Sequence, residues 1–177
     1  MGAIRMLTGI LPEVDKVYAE NHRDQLTIYN NLLVYMIEAN QLDAMPAIFA
    51  RADAVVKRTG QEQSGAGLSL AQLKGLRLLK LNQPEQAERI FTDLVARRRT
   101  TFGRSAGLAV ELTQLSRAKI ALGKYAEAKA ALLEARPIAL ENLGPTAIPT
   151  LVIGISLAEA MAETGDLAGA NKVLNEV

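Results

Sequence analysis

Apolar residues recur along this chain in a helical rhythm, and the rhythm itself occurs four times. Met45 is followed by Phe49 and Ala52, Ala87 by Phe91 and Leu94, Ala128 by Leu132 and Ala135, and Ala170 by Leu174 and Val177. Each trio sits at offsets of four and seven residues, which places its members on one face of a helix. The starting residues are 42, 41 and 42 positions apart. A recurrence at a near-constant step of this size is the signature of one structural unit repeated.

A second regularity lies upstream of each trio. Asn40, Asn82, Gly123 and Gly165 stand five residues before the starting residue. Asn and Gly enter the left-handed conformation at a helix C-terminus most readily, so a helix is expected to stop at each. Leu33, Gly75, Ser116 and Ala158 stand twelve residues before the trio, and three of these four are small, which suits close packing of one helix on another. Each unit therefore reads as helix, tight turn, helix, loop. First helices are predicted over 26–39, 68–81, 108–122 and 150–164, and second helices over 43–58, 84–100, 125–142 and 167–177. Pro46 and Pro84 fall in the first turn of their helices, where a missing N–H costs little. The intervening stretches TGQEQSGAG (59–67), TFGRSAG (101–107) and LGPTAIP (143–149) carry the breakers and read as loops. Pro137 lies inside a predicted helix and is expected to kink it. A further helix over about 12–21 reads as the second half of an earlier unit.

Composition narrows the fold class to all-α. Of the 177 residues, 49% are hydrophobic but only 4% aromatic, and the apolar content is mostly Ala and Leu. These are good helix formers, and alternating β-branched runs that would signal strands are nearly absent. The net charge of +1 gives no bulk electrostatic reason to bind nucleic acid or an acidic membrane. No apolar run approaches the roughly 18 residues of a membrane helix, and the first residues make a poor signal peptide. Without cysteine there are neither disulfides nor thiolate metal sites, which is compatible with a reducing cytoplasm.

The units resemble the tetratricopeptide repeat. Ser116, Gly123, Tyr125, Ala128, Leu132 and Ala135 match its small, Gly, aromatic, Ala, large apolar and Ala slots in order, and Ala158, Gly165, Leu167, Ala170, Leu174 and Val177 do so less closely. The common form has 34 residues. A step of 41 or 42 is more similar to the long variant of kinesin light chains and many bacterial regulators. Leu143-Gly144-Pro145 with Pro149 resembles that variant's loop, one residue longer and without its histidine, and Asn30-Asn31-Leu32-Leu33 resembles its first-helix motif. The second unit departs most, with Lys74 where Leu is expected. The resemblance implies an α-solenoid of stacked antiparallel helix pairs, a right-handed superhelix. Its four repeats would occupy about 26–67, 68–107, 108–149 and 150–177, and residues 1–25 would be the end of a preceding repeat or an N-terminal helix. Because the last unit stops midway through a second helix, a fragment of a longer protein is expected.

The resemblance also implies a function: a non-catalytic scaffold whose first helices line a concave groove for a peptide or partner helix. Family positions that face the groove correspond here to Thr27, Asn30, Asn31 and Glu38, then Ser69, Gln72 and Lys80, then Thr113, Gln114 and Arg117, then Ser156, Glu159 and Glu163. Peptide contact is expected above all from Asn30, Asn31, Gln72, Lys80, Thr113, Gln114, Arg117 and Glu159. The amides both donate and accept and suit a peptide backbone. Lys80 and Arg117 read either as a carboxylate clamp or as solvated surface charges, and Glu159 with Glu163 either as a site for a basic segment or as an exposed acidic face. The run Arg97-Arg98-Arg99 with Arg104 reads either as cations complementing a helix C-terminus or as an anion-docking site. Self-association as a homodimer through uncapped ends, and a peptide-sensing domain of a bacterial regulator, are the alternative functions.

No catalytic, metal or cofactor site emerges. The one histidine, His22, sits beside a predicted loop, and no cysteine is available to join it. No nucleophile elbow is present, and Gly65-Ala66-Gly67, read as loop, lacks the lysine of a phosphate-binding loop. Phe102 alone beside the arginines is too little aromatic surface for stacking RNA or single-stranded DNA. Protein or peptide partners are expected, with no nucleic acid and no membrane.

Overall fold

A computed structural model of the chain describes residues 24–176 together with Gly9, Leu11, Pro12, Lys16 and Val17. Pro12, Lys16 and Val17 are helical; the rest of the helix expected over 12–21, His22 and the stripe residue Val177 lie outside the described residues. From Asp24 onward the described residues form eight helices, and they include no strand. The chain divides into two compact units, one ending at Leu81 and the other beginning at Asn82.

The first unit holds α1 (Asp24–Glu38), α2 (Met45–Thr59) and α3 (Gly65–Lys80). Helix α2 folds back on α1, and α3 packs on both. Tyr29, Leu32, Leu33 and Met36 from α1 meet Met45, Phe49 and Ala52 from α2 in one core, which Leu11 also enters. The second unit holds α4 (Pro84–Phe102), α5 (Ala106–Ala121), α6 (Tyr125–Leu143), α7 (Ile148–Glu163) and α8 (Leu167–Asn175), each packed on the next. Its core repeats the pattern with Ala87, Phe91 and Leu94, then Ala128, Leu132 and Ala135, all buried. The fourth stripe is half-formed: Ala170 is buried, but Leu174 is 49% exposed.

The four turns follow the expected chemistry. Asn40, Asn82, Gly123 and Gly165 all have positive φ, at 54°, 56°, 71° and 83°. At three of them the following amide reaches back to a carbonyl five residues earlier: Gln41 to Met36 at 2.8 Å, Lys124 to Lys119 at 2.9 Å and Asp166 to Met161 at 2.8 Å. These bonds satisfy carbonyls that the helix end would otherwise leave open.

First helices begin two or three residues earlier than the sequence pattern indicates. The hydroxyls of Ser64 and Ser105 cap α3 and α5 by accepting from the amides of Gly67 (3.0 Å) and Leu108 (3.4 Å). Gly65-Ala66-Gly67, expected in a loop, is therefore the first turn of α3. Gly67 is needed there for space: a Cβ would run into the carbonyl oxygen of Gln61. Helix α6 continues through Pro137, which lies exposed so that solvent can meet the carbonyl it leaves unbonded. Lys74, the departure from the repeat pattern, holds its ammonium over the Phe49 ring, 5.8 Å from the ring centre, and 2.6 Å from Asp53. The cation thus lies over an aromatic face while it pairs with a carboxylate at the partly exposed edge.

Candidate binding grooves

Each unit has a groove between alternate helices. In the first, α1 supplies Thr27, Asn30, Asn31 and Val34, and α3 supplies Ala66, Ser69, Gln72 and Leu73, around a cleft of about 380 Å³. The sequence pattern places five of these residues, Thr27, Asn30, Asn31, Ser69 and Gln72, on such a surface. They have different roles. Asn31 is exposed and Gln72 half-buried. Asn30 is buried: its amide nitrogen donates to the carbonyl of Ala66 at 2.9 Å and ties α1 to α3. This groove is lined by neutral amides and hydroxyls. Lys80 is exposed in the last turn of α3.

In the second unit, α5 and α7 form the walls. Thr113, Gln114, Arg117, Ile120 and Ala121 face Val152, Ser156 and Glu159 across a second cleft of about 380 Å³. Thr113 is buried and its hydroxyl donates to the Ala109 carbonyl at 2.7 Å, so it serves the helix. Gln114 Oε1 accepts from the Arg117 guanidinium at 2.8 Å, and Glu159 is exposed. A smaller cleft of about 250 Å³ continues the groove towards the start of both helices, lined by Val110, Leu143, Ile148, Pro149 and Val152 among others, with Thr113 and Gln114 shared. Lys80 and Arg117, the two halves of the expected clamp, belong to different compact units.

The solved structures that share this helical fold include three. BtubC (BKLC) from P. vanneervenii matches with a TM-score of 0.84 at 16% identity, covering 98% of this chain and 71% of that one. A putative kinesin light chain of Podosopora anserina with nearly identical TPR-like repeats matches at 0.77 and 18% identity, covering 88% and 74%. A variant of that protein carrying one substitution matches at 0.79 and 18%, covering 99% and 83%. The fold is a tetratricopeptide-like helical repeat. No protein-family model matches the chain, and no curated protein matches it in sequence.

Outside the grooves, the second helices of the repeats are joined by charge. Arg99 pairs with Glu134 and Arg136 with Glu176, each at 2.7 Å, linking α4 to α6 and α6 to the end of α8. Near the other ends of these helices, Lys124 pairs with Glu88 and Lys129 with Asp166, at 2.7 and 2.9 Å. The hydrogen bonds from Lys124 and then Lys119 hold the Glu88 carboxyl below its ordinary range, and Lys129 does the same for Asp166 with help from the Gly169 amide.

The arginine run at the end of α4 is absorbed by this pairing. Arg97 meets Asp93, Arg99 meets Glu134 and Arg104 meets Glu141. Arg98 turns inward, 3.5 Å from Glu111 and 5.6 Å from the Phe102 ring centre. Glu111 is 0% exposed, and neither of its carboxylate oxygens accepts a hydrogen bond among the described residues. Burial pushes its pKa up to about 7, against the opposing pull of Arg98. Sequence reasoning missed this residue. The available signal was a charge at 111 inside an otherwise uncharged stretch, LAVELTQL, at the level where α5 must meet α4. Among the described residues no group of three or more potential ligands could hold a metal ion, and no helix is long and apolar enough to cross a membrane.

Proposed function

We propose that this chain is a non-catalytic protein-interaction scaffold that binds a peptide or partner helix along its first helices. The observation that carries the reading is the placement of Asn31, Gln72, Gln114, Arg117 and Glu159 on the walls of two open grooves between alternate helices. Such walls are rigid and pre-formed, so the ordering cost of binding falls on the ligand. Likeness to tetratricopeptide-type structures supports a binding role of this general kind. Asn30 and Thr113 act in this scheme by fixing the walls. The test is to identify proteins retained by the immobilised chain, then measure each against Asn31→Ala and Arg117→Ala. Loss of binding by either variant, with the fold intact, supports the groove. Wild-type binding by both variants to every partner sinks it.

One observation favours a second reading, self-association. Leu167 and Leu174 lie seven residues apart on α8 and are 64% and 49% exposed. A mass by light scattering that rises with concentration, and falls to the monomer in Leu174→Glu, would establish it.

A further inference from the structure

The groove of the second unit is amphipathic along its length. At the start of α7, Ile148, Val152 and Ile155 stand at offsets of four and seven on one helix face and are 77%, 42% and 54% exposed. Ile148 and Val152, with Val110, Leu143 and Pro149, form the apolar cleft. One and two turns further along, the same groove carries Arg117 on the α5 wall and Glu159 on the α7 wall. These two charges are left over from the pairing that absorbs their neighbours. The four arginines around the end of α4 all face carboxylates. Arg117 meets only the neutral amide of Gln114, and neither it nor Glu159 has an ion-pair partner among the described residues.

The spacing of these features defines a ligand. Val110 to Arg117 is seven residues of helix, and so is Val152 to Glu159. Seven residues rise about 10 Å, which an extended chain covers in about three residues. Successive side chains of an extended chain point to opposite sides. Opposite charges on opposite walls therefore match an acid and a base next to each other in sequence. We infer that this groove takes an extended peptide with a branched aliphatic side chain in the cleft between Val110 and Val152, and three residues away an acidic side chain on Arg117 whose basic neighbour turns to Glu159. This rests on the groove-binding reading and names its ligand class.

The test uses the full chain to select from a displayed library of random ten-residue peptides. The expected result is enrichment of an aliphatic residue three positions from an acid beside a base. Binding of a selected peptide should fall about tenfold or more when its aliphatic residue becomes Ser, or when Val152 becomes Asp. The doubly reversed variant Arg117→Glu with Glu159→Lys should lose the original peptide and gain one with its acid and base exchanged. That gain would also show that the variant is folded. Selected peptides without this pattern that still lose binding in Arg117→Ala or Asn31→Ala would overturn the inference and leave the groove reading standing. An empty selection, or peptides that bind regardless of all these substitutions, would overturn both.

Discussion

The two units are built from the same repeat, yet they spend their polar residues differently. In the first unit neutral side chains hold the first helix and its groove: Asn30 ties α1 to α3, Gln25 takes a hydrogen bond from Arg58 at 2.8 Å, and the groove is lined by amides and hydroxyls. The second uses charge. Consecutive second helices are joined by ion pairs, and one pair is buried. Its groove carries a cation and an anion, each without an ion-pair partner among the described residues, beside an aliphatic cleft. A shared backbone plan thus fixes where side chains project but leaves their chemistry open. Stability and ligand preference should consequently respond to different variables in the two units.

The sharpest break in the comparison is steric. Both units have a glycine in the first turn of a Ser-capped first helix, Gly67 and Gly107. A Cβ on Gly67 would overlap the Gln61 backbone, whereas one on Gly107 would meet only the end of the Arg98 side chain at 3.2 Å. Backbone cannot step aside, and a flexible guanidinium can. Gly67→Ala is expected to destabilise the first unit by about 3–4 kcal/mol. Gly107→Ala should change the second by less than about 1 kcal/mol, since Ala is also the better helix former. Hydrogen exchange across 65–80 and 106–121 would read the two units separately. Equal effects would mean that the loop at Gln61 is softer than its packing implies.

The next effect belongs to the second unit alone. Glu111 has a folded-state pKa of about 7, above its ordinary value of 4.5, so the fold favours its protonated form. Its contribution to stability is fully present below about pH 4.5 and is lost as pH rises through 7. The change amounts to about 3 kcal/mol for a shift of this size. Glu88 and Asp166, with lowered pKa values, act in the opposite direction, losing stability as pH falls below their ordinary range. Glu111→Gln isolates the effect: the difference in stability between wild type and variant should grow in the variant's favour from about pH 4.5 to 8. A difference that is flat with pH would mean that Glu111 is ionised normally in the fold.

A smaller effect separates the units by salt. The exposed pairs Arg99–Glu134 and Arg136–Glu176 are each worth a few tenths of a kcal/mol to about 1 kcal/mol and are screened by ions. Arg99→Ala with Arg136→Ala should lower the stability of the second unit by about 1 kcal/mol in dilute buffer and by less in about 1 M salt. In the first unit Lys74 pairs with Asp53 at a partly exposed site and also packs on Phe49, so Lys74→Leu should be nearly neutral. Thermal melts at two ionic strengths check both expectations.

What the sequence made legible follows from how local each cause is. The turns were readable because Asn40, Asn82, Gly123 and Gly165 are selected by their own backbone conformation. The buried stripes were readable because the helical period is written in the chain itself. Helix starts were misplaced because Ser64 and Ser105 take glycines into the helix, and glycine taken alone reads as a breaker. The groove-facing positions came from the repeat's register. Which of them stay free depends on neighbours far along the chain: Asn30 is occupied by Ala66, 36 residues away, while Asn31 beside it lies exposed. Glu111 was missed for the same reason, since its burial is set by α4 and the charge in its stretch marks only where to look.

The smallest expected change in stability carries the largest information about function. Asn31 and Arg117 are exposed, one on the wall of each groove, and Asn31→Ala or Arg117→Ala should alter folding stability by less than about 0.5 kcal/mol. Their effects on a bound peptide should differ in kind. A contact to the amide of Asn31 is dipolar and barely sensitive to ions, whereas a carboxylate on Arg117 is screened over a Debye length of about 8–10 Å. Titrations of one groove-binding peptide at about 50 and 500 mM salt should therefore show a salt-dependent affinity that Arg117→Ala flattens and Asn31→Ala leaves unchanged. If both variants flatten it equally, the electrostatic distinction between the two grooves does not reach the ligand, and the charges of the second unit serve the fold alone.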